Sequence, residues 1–230
     1  MLLGKTLRQR RIFSRGRALI GMLDGLQVSS CEGMRAAARA FARADMDALI
    51  ITPGTLDLIA EDLGSLALIL RLNLNWEHAT PVGTVESASG SGAEAVALYV
   101  DTQRPQHLDL FGGVAADARR AGMPVLAEMA GGDLASMAAM ATEFGADMIL
   151  IRADQEGPQA IRQSVKFAAR PILAIPGPTE VPAIARASQN LLDCGVQGIV
   201  VGAQPEPVLG VLRSLVHDGI HLEEKLHLLK

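Results

Sequence analysis

The join that decides the fold is FGADMILIRADQEG, Phe144 to Gly157. Gly145 follows an Ala-rich segment and can take the left-handed conformation that ends a helix. Met148 to Arg152 is then a short apolar run that opens into the polar cluster Arg152, Asp154, Gln155. A run without polar alternation marks a strand covered on both faces, as parallel strands are. Two further joins repeat the pattern: SGAEAVALYV around Gly92 and CGVQGIVVG around Gly195.

Working outward, eight such runs can be counted, at 18–24, 47–53, 66–73, 95–101, 124–130, 147–153, 171–177 and 198–204. Segments of helix length lie between them, including MRAAARAFARAD, LASMAAMATEF and EVPAIARASQNLLDC. The separation of successive runs suits right-handed βα crossovers. Periodicity alone does not distinguish a closed ring from an open doubly wound sheet. Eight units without a composition break favour a single-domain (β/α)8 TIM barrel over residues 1–217. The remainder, 218–230, reads as an amphipathic tail helix that packs on the barrel or on a neighbouring subunit.

Composition narrows the function class. Of 230 residues 49% are apolar and only 3% aromatic, so aliphatic side chains must fill the core. The net charge of −4 offers no basic stripe for a nucleic-acid backbone. Neither a membrane-length apolar run nor a leader is expected, and Cys31 and Cys194 match no metal or redox spacing. A soluble cytoplasmic protein without nucleic-acid or membrane partners is the expectation. Of 21 basic residues only four are lysines: Lys5, Lys166, Lys225 and Lys230. None falls on an expected strand, and Lys166 belongs to the helix before strand 7, on the barrel's exterior.

In a TIM barrel the active site sits where the strands finish. Those ends offer Asp24, Thr52, Arg71 with Asn73, Asp101, Glu128, Arg152 with Asp154, the IPGPT loop holding Gly177, and VGAQ holding Gly202. Asp24 can serve as a general base, hold a cation, or cap its turn. Glu128 either faces the barrel mouth, where burial disfavours its charge and suits proton transfer, or faces the helices and pairs with an arginine. Gly177 and Gly202 suit a phosphate at free backbone N–H groups, or simply permit tight turns; Pro176 and Pro178 remove two of those donors. A metal held by His78, Asp101 and Glu128 has no short ligand spacing behind it, so none is expected. Trp76 either lines a substrate pocket or packs a lid on the rim. His107 is expected to face solvent.

The order of these motifs resembles the superfamily of deoxyribose-phosphate aldolase, in the branch of archaeal-type class I fructose-bisphosphate aldolases and the autoinducer-2 phosphate thiolase. RALIGMLDGL is similar to that branch's first strand, DALIITPGTL to its second, LILRLN to its third, GAEAVALYVD to its fourth and AGMPVLAEMAGG to its fifth. GADMILIRADQEGPQAI, RPILAIPGPTE and DCGVQGIVVGA resemble the sixth to eighth. The likeness covers residues 10 to 217.

The resemblance implies an aldolase-type lyase of carbohydrate metabolism that needs no cofactor, binds a phosphorylated sugar or keto acid and forms homo-oligomers. Residue by residue the family's site is only partly kept. Asp24 matches the strand 1 aspartate, but Gly25 stands where a histidine is usual. The Schiff-base lysine of strand 6 falls on Leu150, and the strand 5 tyrosine on Ala130. Paired glycines after strand 7 become Pro176-Gly177, and the arginine after the strand 8 glycine becomes Ala203. An imine needs a primary amine, and the guanidinium of Arg152 does not deprotonate in proteins. The expectation is an aldolase-like barrel with class I chemistry lost, in which Asp24, Glu128 and Arg152 act at the reacting centre. Arg71, Asp101, Gly177 and Gly202 would hold the ligand; the alternative is an inactive sensor or partner subunit.

Overall fold

The structure is a computed structural model and describes residues 3–13, 15–23, 30–74, 79–153, 156–178, 180–220 and 222–225. Eight parallel strands close into a ring in chain order: β1 Ala18–Leu23, β2 Ala48–Ile51, β3 Ala67–Arg71, β4 Ala95–Asp101, β5 Val125–Ala130, β6 Met148–Arg152, β7 Ile172–Ile175 and β8 Gly198–Val201. Each is followed by a helix: α2 Cys31–Arg43, α3 Pro53–Ile59, α4 Val85–Gly90, α5 Pro105–Ala121, α6 Leu134–Phe144, α7 Pro158–Phe167, α8 Ala183–Asp193 and α9 Glu206–Arg213. The protein is therefore a (β/α)8 barrel. A leading helix, α1 Leu3–Ile12, lies against the strand-start end, and a short α10, Leu222–Lys225, ends the described chain beside α8. Among the described residues no helix is long and apolar enough to cross a membrane, and both cysteines are free.

Strand alternation sorts the core into two layers. Side chains at Ile20, Met22, Ile50, Ile69, Ala97, Leu126, Leu150, Leu173 and Val200 fill the inside of the ring, which Ile12 of α1 plugs from below. The neighbouring positions face outward and meet the helices, where Phe41 and Phe111 are the bulkiest buried groups. Gly21 faces this outer layer because a Cβ there would stand 2.6 Å from the Phe41 ring. The three repeated joins form as their residue order implies. Gly92, Gly145 and Gly195 have φ of 75°, 95° and 94°, a conformation that costs glycine little.

Two of those joins, at Asp147 and Gln197, and the join before β2, at Asp47, carry a second device. The polar residue just before a strand hydrogen-bonds the first free N–H of the preceding one. Asp47 Oδ2 accepts from Leu19 N at 2.7 Å, Asp147 Oδ2 from Val125 N at 3.0 Å, and Gln197 Oε1 from Ile172 N at 2.9 Å. The two buried aspartates also hold a cation or an imidazole: Lys5 of α1 lies 2.6 Å from Asp147, and His217 Nε2 lies 2.9 Å from Asp47. Burial pushes the Asp47 carboxyl above its usual range, while the Leu19 N–H and His217 pull it back. Arg8 and Arg11 of α1 both reach Glu94, so three side chains bind that helix to the barrel floor.

Removing one member of a buried ion pair costs about 3–5 kcal/mol, because the other is left uncompensated. Asp147→Ala also orphans the Val125 N–H and is expected to lose at least that much stability in urea unfolding. Adding Lys5→Met should recover part of it. A single-variant loss within error of zero would show that this contact does not hold α1.

Candidate functional site

The finishing ends of β3 to β6 bring the polar residues together. Arg71, Glu128 and Arg152 all occupy inward-facing positions, two residues beyond the apolar layer of Ile69, Leu126 and Leu150. Arg71 Nη2 donates to Glu128 Oε2 at 2.6 Å and lies 3.3 Å from the Met22 sulfur of β1. Arg152 Nη2 reaches the other oxygen, Glu128 Oε1, at 3.4 Å. Arg71 and Glu128 are 6% and 2% exposed, whereas half of the Arg152 side chain is open to solvent. Glu128 thus faces the barrel interior and not the helices, and the arginine pairing expected on the helix side occurs inside the ring. Two guanidinium groups against one carboxylate leave the cluster with a net positive charge.

Leu150 is the register partner of Glu128 and is fully buried in the inner layer, between Leu126, Met148 and Leu173. The position where the resemblance places an imine-forming lysine is therefore apolar floor. Among the described residues no lysine approaches the mouth from below: Lys5 is held at the opposite end and Lys166 lies exposed on α7.

Tyr99 completes the arc. Its backbone pairs in register with Glu128, and its side chain shares the inward face of Ala95 and Ala97. The buried amide of Asn73 fixes this backbone twice, accepting from Tyr99 N at 2.8 Å and donating to Tyr99 O at 2.9 Å. Burial, then the carboxylates of Asp101 and Glu128, push the Tyr99 phenol above its usual range, while Arg152 and Arg104 pull it down. Tyr99 is not among the candidate site residues read from residue order. Counting by twos from Ala95 and Ala97 would have put it in the mouth.

The other half of the mouth is unlike the first. Met22, Arg152, Ile175, Gly177, Val200 and Gly202 line a cavity of about 530 Å³. Arg152 thus faces Gly177 and Gly202 across one space, with Pro176, Pro178 and Ala203 completing the loop walls.

The remaining candidates are placed differently. The carboxylate of Asp101 accepts from Gln103 N and Arg104 Nε, both at 3.0 Å, which makes it the organiser of the turn after β4. Thr52 caps α3 by accepting from Thr55 N. Asp24, Asp154, Gln155, Trp76, His78 and Thr179 lie outside the described residues. Of the three groups considered for a metal, Glu128 and Asp101 therefore each hold an arginine. His107 corrects the expectation of solvent exposure. It is 1% exposed, because its Nδ1 accepts from Asp101 N at 3.3 Å and its ring packs edge-on against Tyr99.

Comparison with known proteins agrees with this fold. Residues 17–169 match the model of the DeoC/LacD family of aldolases. The chain is 26% identical over 274 residues to an uncharacterized aldolase of Saccharolobus solfataricus, covering 100% of both. It is 27% identical over 253 residues to the 2-amino-3,7-dideoxy-D-threo-hept-6-ulosonate synthase of Halobacterium salinarum, covering 97% of this chain and 95% of that one. A Schiff-base-forming fructose-1,6-bisphosphate aldolase superposes with a TM-score of 0.74 at 25% identity, covering 92% of this chain and 98% of its own. An archaeal fructose 1,6-bisphosphate aldolase shares the fold, with a TM-score of 0.77 at 24% identity over 94% of this chain and 100% of that one.

The cluster predicts its own energetics. Glu128→Leu would strand two guanidinium groups at the barrel mouth, one of them buried, and should cost about 3–5 kcal/mol. Replacing the pair together, Glu128→Leu with Arg71→Met, should cost far less. Urea midpoints of the two variants check this; equal losses would mean that the ion pair is not the coupled unit.

Proposed function

We propose that this chain, which belongs to the DeoC/LacD family of aldolases, binds a phosphorylated sugar or keto acid in the mouth of its barrel without forming an imine. The observation that carries this reading is the inner face at the finish of β5 and β6. Glu128 holds two arginines there, and the next inward residue below Arg152 is the fully buried Leu150. Charge recognition is present where an amine is absent.

Arg152 is the ligand-facing cation. Its guanidinium has five N–H donors, and the long contact to Glu128 leaves most of that fork to meet a phosphate or carboxylate. Gly177 and Gly202 let backbone approach the ligand from the opposite wall. Arg71 acts through Glu128: it fixes the carboxylate, which in turn aims Arg152. Tyr99 offers a phenolic O–H beside the same carboxylate and can donate to an anionic oxygen of the ligand. Asp24 keeps the role of proton acceptor that the family resemblance implies.

A binding-only role, as a sensor or partner subunit, is favoured by one observation. Both oxygens of Glu128 are occupied by arginine, which leaves it poorly placed to accept a substrate proton. If the protein turns over, its chemistry is proton transfer stabilised by Arg152, not addition of an amine. Homo-oligomerisation belongs to the same proposal, and Phe167, exposed at the end of α7, is an apolar group that such contact would bury.

Thermal shift with fructose 1,6-bisphosphate and with dihydroxyacetone phosphate tests the assignment. Either ligand should raise the melting temperature of the native chain, and Arg152→Gln should weaken its apparent affinity roughly tenfold or more. Full retention of binding in Arg152→Gln would remove Arg152 from the site.

A further inference from the structure

We propose a second ligand site at the opposite end of the barrel: a cavity beneath α1 that takes a small carboxylate with an apolar body. The cavity measures about 320 Å³ and is lined by Arg10, Phe13, Ala169, Arg170, Pro171 and Gln197, among others. It lies at the strand-start end, since Pro171 leads into β7 and Gln197 into β8. None of these residues belongs to the mouth, so the site stands independently of the function proposed there.

Two positive charges meet here without an acid to balance them. Arg10 is exposed and Arg170 half-buried, and among the described residues neither pairs with a carboxylate. Their neighbours on α1 behave otherwise, since Arg8 and Arg11 both reach Glu94. Among the described residues the single acid in the lining, Asp147, is already committed. Its Oδ2 takes the Lys5 ammonium at 2.6 Å and the Val125 N–H at 3.0 Å, and its backbone oxygen takes Gln9 Nε2 at 3.3 Å. Arg170 Nε, moreover, is a buried donor with no partner among the described residues. Like charges sharing a cavity repel, and an unpaired buried donor is unfavourable. One oxyanion set between the two forks relieves both.

The apolar part of the lining selects the rest of the ligand. Phe13, Ala169 and Pro171 provide a wall that gives bare phosphate nothing to bury. The planar guanidinium fork matches a carboxylate in two parallel hydrogen bonds. The volume stands near the lower edge of small-molecule sites, roughly 300–1,000 Å³, which suits a body of about one ring. Thr6, Gln9, Arg10 and Phe13 come from α1 and its end, and the facing residues from the barrel floor. An occupant would therefore clamp α1 to the barrel.

The test is calorimetric titration of the full chain with benzoate, with inorganic phosphate as comparator, alongside melting temperatures. One equivalent of benzoate is expected, with a concentration-dependent rise in melting temperature. Arg170→Gln and Arg10→Gln should each weaken benzoate roughly tenfold or more, while Arg152→Gln in the mouth leaves it unchanged. Ala169→Phe, at an exposed position that fills the cavity, should abolish binding and provides the same reading if an arginine variant fails to fold. No benzoate binding at millimolar concentration would overturn the site, as would loss of binding in Arg152→Gln with retention in Arg170→Gln. Phosphate binding more tightly than benzoate would overturn the apolar-carboxylate class.

Discussion

A carboxylate enclosed in a barrel must be paired, and in this protein that requirement organises the mouth. Glu128 is nearly devoid of solvent contact and meets Arg71 at 2.6 Å. A charge so placed without its partner would be strongly unfavourable, so the two side chains are chosen together across β3 and β5. Arg152 then lies above the same carboxylate, and Tyr99 beside it. Directly below, the ring interior is closed by Leu126, Leu150 and Leu173. The level at which a lysine would attack a carbonyl is the level at which this barrel packs aliphatic side chains.

The two ends of the barrel divide the work. At the strand-start end, Asp47, Asp147 and Gln197 each complete the hydrogen bonding of a neighbouring strand, and two of them also hold buried His217 and Lys5. These contacts close the floor and fasten α1. At the finishing end Arg152 of the charged cluster lines an open cavity and keeps half its surface in solvent. A cation fully spent on internal partners has little to offer a ligand. Arg71, buried with its Nη2 on Glu128 and Met22, offers a ligand less surface than the half-exposed Arg152.

Much of this was legible in residue order, for a physical reason. Parallel strands buried on both faces leave apolar runs that helices do not imitate at that length, and Gly92, Gly145 and Gly195 mark where each helix gives way to the next strand. The family assignment followed from the same runs. Position at the strand ends also put Arg71, Glu128 and Arg152 among the candidates, although residue order left Glu128 open to either the mouth or the helices. Their mutual contacts were not legible, because the registers of β3, β4, β5 and β6 that set these side chains at one level depend on barrel closure and not on local pattern. His107 was misread for a related reason. A histidine two residues into a helix suggests solvent, and only the fold shows Asp101 N–H turning toward its ring. Asp101 itself looked available as a strand-end carboxylate, but its turn uses both oxygens.

With Leu150 where a strand 6 lysine would stand, the mouth is proposed to carry no imine chemistry. Borohydride trapping in the presence of fructose 1,6-bisphosphate and dihydroxyacetone phosphate, read by intact mass, tests it most directly. A Schiff-base-forming aldolase treated in parallel supplies the positive control. An unchanged mass is expected for this chain while the control gains its adduct. A stable adduct that forms as readily as the control's and is lost on Arg152→Gln would contradict it, because a lysine would then reach a carbonyl held in the mouth.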